Sequence, residues 1–258
     1  MKTAVRQQRI LQELNSCGFV KTAQLAEKYN VSVMTIRRDL IAFSKRGVLT
    51  LVRGGAVANR GALAESDYYS KREDMLEAKR NIACFCADLV NSGDSVFLDG
   101  GTTTREIAAA LVGKYNIVVL TNSINCAMTL SSAKNITTIM VPGVLRETSM
   151  AFMGPYADSF IRSFQIDYAF IGTEGVDPSF GASVPNSMDA DLKRSVVLQA
   201  KHPVLVADSS KLGKKFLCQF CTSKEVELLV TDSAADAKMI ESLQKSGFSV
   251  AIAKNAPQ

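Results

Sequence analysis

The segment from Asp99 to Thr104 combines residue types that suit the binding of an anion. It contains two glycines followed by three threonines: Gly100, Gly101, Thr102, Thr103 and Thr104. The segment lies between a predicted strand, Ser95–Leu98, and a predicted helix, Thr104–Val112, so its amides are at a helix N-terminus, where a phosphate is favoured. Because it lacks the Lys-Ser or Lys-Thr ending of a nucleotide-binding loop, it predicts a phosphate on a small molecule rather than ATP. A tight turn without a ligand is the alternative.

Polar residues also follow other predicted strands, where ligands bind in open parallel sheets. They are Asn122, Arg146, Glu174, Asp208 and Lys211. Amide and carboxylate oxygens accept hydrogen bonds from sugar hydroxyls, and the two cations attract a phosphate. With Asp99 and the loop that follows it, these residues predict a site for a phosphorylated, polyhydroxylated small molecule.

A second group of candidate residues lies near the N-terminus, on a predicted helix that follows the short turn 30–32. Ser32 is a good N-cap for this helix. Its apolar stripe consists of Val33, Ile36, Leu40 and Phe43. Outside the stripe lie Thr35, Arg37, Arg38 and Asp39. Because Arg can bind a guanine edge with two hydrogen bonds, and Ser or Thr can reach a base or a phosphate, this pattern predicts a helix-turn-helix that reads the major groove of DNA through Ser32, Thr35 and the two arginines.

The next predicted strand, Val48–Val52, leads into Arg53, Gly54 and Gly55. A basic residue beside two glycines at a hairpin tip is typical of a wing that lies on the DNA backbone, since glycine allows a close approach. A small three-helix domain with exposed arginines and a protein-docking module are the alternatives.

The distribution of charge favours DNA as the partner. The net charge of the chain is +5, but residues 1–60 hold eleven Lys and Arg against three acidic residues, so the rest of the chain is slightly acidic. A basic end on a slightly acidic body indicates a module that binds a polyanion.

Metal, redox and membrane functions have little support in the sequence. It contains a single histidine, His202, and although Cys218 and Cys221 have zinc-ligand spacing, no second pair accompanies them. We therefore expect no metal and no cofactor. The apolar runs are too short for a transmembrane helix and the N-terminus does not resemble a secretory signal, so we expect no membrane partner and a cytoplasmic location.

The candidate residues require a scaffold of two domains. We expect a DNA-binding domain over residues 1–58, a linker over 59–75, where the hydrophobic pattern breaks down, and an α/β domain over 76–258. In the last segment, short apolar strands alternate with helices, which predicts a mostly parallel sheet covered by helices. The predicted strands are Ser95–Leu98, Ile117–Leu120, Thr138–Val141, Tyr168–Ile171, Val204–Ala207, Leu228–Val230 and Ser249–Ile252.

Both halves of the sequence resemble one known family. The string Val-Ser-Val-Met-Thr-Ile-Arg-Arg-Asp-Leu, residues 31–40, and the run Gly47–Ala56 are similar to the winged helix-turn-helix of DeoR-type bacterial regulators. The second half, from about Lys79 to Asp232, resembles the effector domain of the same family. The matching pieces are Phe97–Thr104, Leu120–Ser123, Asp167–Gly172, Asp189–Arg194 and Ala207–Lys211.

This resemblance implies a winged helix-turn-helix followed by a domain that resembles ribose-5-phosphate isomerase in fold and senses phosphorylated sugars or related metabolites. The residues that it implies as effector contacts are Asp99, Gly101, Thr102, Thr103, Thr104 and Lys211. The chain departs from many relatives in having Arg53 instead of histidine, Asp189 instead of glutamate, and Pro142 in place of a glycine.

The regulator hypothesis is a repressor of a carbohydrate-metabolism operon, relieved by a phosphorylated sugar and acting as a homodimer or homotetramer on double-stranded operator DNA. The alternative is a sugar-phosphate isomerase-like enzyme with an appended DNA-binding domain, using Glu174, Asp177 and Lys211 as acid–base groups. We expect no enzyme, because the sequence has no Ser/His/Asp or Cys/His pattern and a shared fold does not carry activity. A DNA-packaging protein would leave the ligand residues unexplained.

Overall fold

The computed structural model describes residues 3–45, 48–58 and 68–254. The chain divides into two compact units, Met1–Lys71 and Arg72–Gln258. None of the helices in the described part of the chain is both long and apolar enough to span a membrane.

The N-terminal unit has three helices together with a small antiparallel sheet. Its elements are α1 (Thr3–Cys17), β1 (Phe19–Lys21), α2 (Thr22–Lys28), α3 (Val33–Lys45), β2 (Leu49–Val52) and β3 (Gly55–Ala58). Strand β3 lies between β1 and β2, and β2 and β3 form the hairpin of the wing. Helix α1 ends before Gly18, whose φ of +74° is in the left-handed region that glycine adopts at helix ends. The predicted winged helix-turn-helix is confirmed.

Two of the predictions for α3 are wrong. Ile36, Leu40 and Phe43 are buried as expected, but the Val33 side chain is 54% exposed, because it lies in the first turn of the helix, beyond the core. Asp39 is buried rather than exposed: it accepts hydrogen bonds from Arg6 Nε and Gln7 Nε2, each at 2.7 Å. The Arg6–Asp39 ion pair therefore fastens α1 to α3.

Residues 59–67 of the predicted linker, 59–75, lie outside the described residues. Its remaining part contains a short helix, α4 (Tyr68–Arg72), which includes the boundary between the two units. Met75 follows with a left-handed φ of +53° and is the N-cap of the first long helix of the second unit.

The second unit alternates strands and helices. Its elements are α5 (Leu76–Leu89), β4 (Ser95–Leu98), α6 (Thr102–Leu111), β5 (Ile117–Thr121), α7 (Ile124–Leu130), β6 (Ile136–Met140), β7 (Val144–Arg146), β8 (Ala151–Met153), α8 (Pro155–Ile161), β9 (Ile166–Gly172), β10 (Gly175–Asp177), β11 (Gly181–Val184), α9 (Ser187–Gln199), β12 (Ala200–Val206), β13 (Cys218–Cys221), β14 (Leu228–Asp232), α10 (Ala237–Lys245) and β15 (Val250–Ala253).

Seven of these strands form one parallel sheet in the order β15-β14-β12-β9-β4-β5-β6. Apolar side chains alternate between its two faces, as the period of a strand requires: Phe97 packs into one hydrophobic cluster, and Val96 and Leu98 pack into the other. All seven predicted strands are present in this sheet, so the predicted α/β class is confirmed.

Two smaller sheets were not predicted. Strands β7 and β8 form a hairpin in which Arg146 lies opposite Ala151, and β11 pairs with both β10 and β13. These strands have only three or four residues each, which is too short for a periodic hydrophobic pattern to identify them.

Candidate DNA interface and ligand site

The start of α3 presents the predicted base-reading residues to solvent. Ser32 Oγ accepts a hydrogen bond from the Thr35 backbone amide at 3.1 Å and lies 2.8 Å from Thr35 Oγ1, so Ser32 caps the helix as predicted. Arg37 and Arg38 follow on the exposed side of α3. Two exposed guanidinium groups near the start of a helix have the chemistry needed to read base edges in a major groove.

The same helix end carries two exposed apolar residues, which the sequence pattern does not identify as DNA contacts. Val33 and Met34 are 54% and 60% exposed. Apolar side chains on a recognition helix can contact the methyl group of thymine. Large apolar groups at the first two positions after an N-cap were the signal that could have identified them.

The turn between β2 and β3 consists of Arg53 and Gly54. Arg53 is exposed, and Gly54 has a φ of +85° with nothing within 4 Å of a built Cβ. Gly55 serves a different purpose: a Cβ there would lie 2.0 Å from the carbonyl oxygen of Val20 on β1. Gly55 is therefore required for the pairing of β3 with β1, whereas Arg53 and Gly54 form the tip that can approach DNA.

The predicted ligand residues gather at one edge of the parallel sheet. Asp208, Glu174, Asp99 and Asn122 come after β12, β9, β4 and β5, which are neighbours in that order. Because the carboxyl ends of parallel strands meet at the same edge, the sheet brings these four predicted residues to one end of the unit.

Gly100 and Gly101 form the loop between β4 and α6, and the three threonines form the first turn of α6. Thr102 is the first residue of α6, and the amides in the first turn of a helix have no intrahelical partner, which leaves them available to an anion. Thr104 differs from its neighbours because its hydroxyl donates to the carbonyl oxygens of Asp99 at 2.6 Å and Gly101 at 3.1 Å. The Thr104 side chain therefore holds the shape of the loop.

Gly100 allows this loop to contact the β7–β8 hairpin. A Cβ at position 100 would lie 2.5 Å from Ala151 Cβ, and 3.7 and 3.8 Å from Nδ2 and Oδ1 of Asn122. On the other side, Phe152 N donates to Asn122 O at 2.8 Å and Asn122 Nδ2 donates to Phe152 O at 3.1 Å. The loop, the end of β5 and the hairpin that carries Arg146 are thus assembled together.

A buried ion pair lies beneath the loop. Asp99 Oδ2 pairs with Lys193 Nζ and accepts a hydrogen bond from Gly172 N at 3.0 Å. Lys193 Nζ also donates to Gly172 O at 3.1 Å and lies 3.5 Å from Asp189 Oδ1. Burial alone would lower the pKa of Lys193, but Asp189 and Asp99 raise it well above the ordinary value. Asp99 thus joins β4 to α9, and Lys193 remains charged.

Lys193 is the residue of this site that sequence reasoning missed. It stood inside a motif of the family resemblance, but no role was assigned to it. The signal was present: Asp189 and Lys193 are four residues apart on a helix, where opposite charges meet. Sequence alone did not reveal that Asp99, ninety-four positions away, completes the pair.

The second cation of the site is Lys211. Its Nζ donates to Glu174 Oε2 at 2.8 Å, and the two side chains are 22% and 19% exposed. Burial would lower the pKa of Lys211, but the negative charges of Glu174, Asp208 and Asp74 raise it above the ordinary value. Lys211 is therefore a partly accessible cation that stays protonated.

The residues that could hold a metal are dispersed. In residues 3–45, 48–58 and 68–254, no group of three or more His, Cys, Asp and Glu side chains is placed to bind one. His202 lies near the start of β12, away from the ligand edge, where it pairs with Glu227 at 2.6 Å and stacks on Tyr168.

Burial raises the pKa of Cys126 to about 11 and that of Cys221 to about 12, so both thiols remain protonated at neutral pH.

Two family models match the chain. The model of the DeoR-like helix-turn-helix domain matches residues 6–61, and the model of the DeoR C terminal sensor domain matches residues 74–233. The two matched segments correspond to the winged unit and to the unit that contains the ligand edge.

Several relatives match along nearly the whole chain. The HTH-type transcriptional regulator GlpR of Haloferax volcanii is 34% identical over 97% of this chain and 98% of its own length. A putative aga operon transcriptional repressor of Escherichia coli is 30% identical over 96% and 93%, and the glycerol-3-phosphate regulon repressor of Escherichia coli is 27% identical over 94% and 96%.

Among solved structures, ribose 5-phosphate isomerase A of Methanocaldococcus jannaschii aligns with 54% of this chain and 55% of its own, at 16% identity and a TM-score of 0.40. This similarity is distant, and the assignment of the fold depends on the strand order and the family matches instead. The extent of the two family matches and the identity to the relatives place the chain in the DeoR family of transcriptional regulators.

Proposed function

We propose that the protein is a repressor of a carbohydrate-metabolism operon, and that a phosphorylated sugar bound beside Gly100–Thr104 relieves repression. The observation that carries the proposal is the glycine–threonine loop at the N-terminus of α6, at the sheet edge that also holds the protonated Lys211. The loop belongs to a chain that also exposes Arg37 and Arg38, so one protein carries both the proposed ligand site and the proposed DNA-binding surface. The names of two relatives, an aga operon repressor and a glycerol-3-phosphate regulon repressor, support this effector class.

The partners follow from this function. One recognition helix reads only a few base pairs, so a symmetric homodimer or homotetramer on repeated half-sites provides the required length of contact. The operator is double-stranded DNA, and we place the protein with it in the cytoplasm.

The phosphate competes for Lys211. In the structure without ligand, Lys211 is paired with Glu174, and a dianionic phosphate near the start of α6 would be a stronger partner for the same ammonium group. A ligand shifts an equilibrium only when it binds one state better than the other. We propose that exchange of the Lys211 partner distinguishes the DNA-binding state from the ligand-bound state.

Catalysis is not part of the proposal. Glu174 and Lys211 were the acid–base candidates of the isomerase alternative, together with Asp177. The negative charge of Glu174 favours the charged form of Lys211, and the raised pKa of Lys211 makes it a poor proton acceptor at neutral pH. Asp177 accepts hydrogen bonds from Ser179 and lies 3.2 Å from Lys215 Nζ.

The first test is thermal unfolding of the full chain with ribose 5-phosphate, fructose 6-phosphate, glycerol 3-phosphate and their unphosphorylated counterparts. A ligand at one hundred times its dissociation constant adds about 2.7 kcal/mol to the free energy of unfolding, enough to raise Tm measurably. We expect a phosphorylated compound to raise Tm and to release DNA selected for binding to the protein. Lys211→Met should weaken that compound roughly tenfold or more, since a charge-assisted hydrogen bond contributes about 1.5–3 kcal/mol.

The matched control is Lys134→Met, which removes one exposed positive charge from a loop remote from the sheet edge. It should leave ligand binding unchanged. A rise in Tm with unphosphorylated sugars alone, or an equal loss in both variants, would contradict the phosphate assignment.

A further inference from the structure

Asn122 is a fully buried polar residue with an incomplete set of hydrogen bonds. Its amide nitrogen donates to Phe152 O at 3.1 Å, which fixes the orientation of the side chain. Its Oδ1 atom is buried and has no hydrogen-bond partner among the residues that the structure describes. An acceptor that is desolvated but unpaired costs free energy, and such atoms are rare in native proteins.

Further buried polar atoms lie close by in the fold. Nδ2 of Asn125 and Oγ1 of Thr148 are buried and, within the described part of the chain, without a hydrogen-bond partner. The two segments that carry them are joined by backbone hydrogen bonds: Ile124 N donates to Met150 O at 3.1 Å, and Phe152 N donates to Asn122 O at 2.8 Å. The segments that carry Asn122, Asn125 and Thr148 therefore meet at one junction, between the end of β5 and the β7–β8 hairpin.

This junction adjoins the glycine–threonine loop. A Cβ built at Gly100 would lie 3.8 Å from the unpaired Oδ1 of Asn122. The cluster thus offers an acceptor (Asn122), a donor (Asn125) and a hydroxyl that does both (Thr148), beside a loop suited to an anion. Because a sugar hydroxyl is also both a donor and an acceptor, this set is complementary to a carbon chain that bears several hydroxyl groups.

We propose that Asn122, Asn125 and Thr148 form the hydroxyl-reading part of the effector site and select polyhydroxylated phosphates over phosphate alone. The inference rests on the proposed sensing function, since the loop at Gly100–Thr104 holds the other end of the same ligand. Thr138 and Thr231 also have buried, unpaired hydroxyl oxygens, but they lie in β6 and β14 and belong to no such cluster.

The test uses Asn125→Leu and Thr148→Val in the full chain. Both substitutions keep approximately the size of the side chain and remove the unpaired polar atom, so Tm without ligand should be unchanged or higher. The probes are ribose 5-phosphate, fructose 6-phosphate, glycerol 3-phosphate and inorganic phosphate, with affinity measured by calorimetry. For whichever sugar phosphate binds the wild type, each variant should bind it roughly tenfold more weakly, with unchanged affinity for inorganic phosphate.

Thr138→Val is the matched control, because it removes an unpaired buried hydroxyl outside the cluster. It should leave the affinity for every probe unchanged. Wild-type affinity in both Asn125→Leu and Thr148→Val, or an equal loss in the control, overturns the inference while the sensing function stands. If no sugar phosphate binds the wild type, the sensing function fails and the inference fails with it.

Discussion

Lys193 and Lys211 are two lysines at one sheet edge with different surroundings. Lys193 is 4% exposed and is held by Asp99, Asp189 and the carbonyl of Gly172, so its charge is fully used inside the protein. Lys211 is 22% exposed and has the carboxylate of Glu174 at hydrogen-bond distance. The first stabilises the loops at this edge, and the second keeps part of its side chain accessible to solvent.

Replacing Lys193 should therefore affect stability before it affects sensing. Lys193→Met leaves Asp99 buried beside Asp189 without a cation, and loss of one partner of a buried pair costs about 3–5 kcal/mol. We expect the free energy of unfolding in urea to fall by that amount. The double variant Asp99→Asn/Lys193→Met should be less destabilised than the sum of the two single variants, because it removes both charges. Additive effects would show that the two side chains do not stabilise each other.

At the scale of single residues, the sequence indicated the chemistry of each side chain better than it indicated the partners of that side chain in the fold. Thr104 was expected to contact the ligand, but its hydroxyl is used within the loop, and Asp99 is engaged by Lys193. Both outcomes depend on partners five or ninety-four positions away, which only the folded chain brings into contact. Asp39 is a similar case, since its burial depends on Arg6 of another helix.

Helix α3 and the β2–β3 hairpin should contribute differently to DNA binding. Arg37→Ala and Arg38→Ala should each weaken the preference for the operator, lowering affinity for it roughly 5- to 150-fold, or about 1–3 kcal/mol. Arg53→Ala should weaken binding to all sequences similarly and reduce the slope of log K against log salt by about one per wing, because it removes a phosphate contact. Fluorescence anisotropy with operator and scrambled DNA at several salt concentrations measures both effects.

Lys134→Ala is the control for this series, since it removes one positive charge from the other unit. Unchanged operator affinity in both Arg37→Ala and Arg38→Ala would exclude α3 as the recognition helix. A loss confined to the operator in Arg53→Ala would assign base reading, rather than phosphate binding, to the wing.

Elements of ordinary length could be predicted from the sequence, and short ones could not. The strands of the parallel sheet are runs of apolar residues buried on both faces, so their composition is distinctive. Strands β7, β8 and β10 have three residues each, and their pairing depends on tertiary neighbours. The hairpin that holds Arg146 and Thr148 was therefore missed, and with it the junction between that hairpin and the end of β5.

At the scale of the whole molecule, the arrangement of functions along the chain was predictable. The basic N-terminal segment became the winged unit, and the polar residues after four strands met at one sheet edge because parallel strands share a direction. Asp74, which follows the unit boundary by only a few residues, raises the pKa of Lys211 through its negative charge. A charge at the start of the second unit thus acts on the lysine that a phosphate would contact.

The contact between Gly100 and Ala151 makes these two positions dependent on each other. A Cβ at position 100 would lie 2.5 Å from that of Ala151, so Gly100→Ala should displace the loop from the hairpin and leave a repressor that binds its operator but ignores the inducer. In a genetic screen for restored induction, Ala151→Gly should arise as a second-site suppressor, because it removes the obstructing methyl group. Suppressors that map elsewhere, with none at position 151, would contradict this steric explanation. The residues at positions 100 and 151 would then have to change together in evolution. A protein that acquires a side chain at position 100 would keep its response to the inducer only if position 151 had already become glycine.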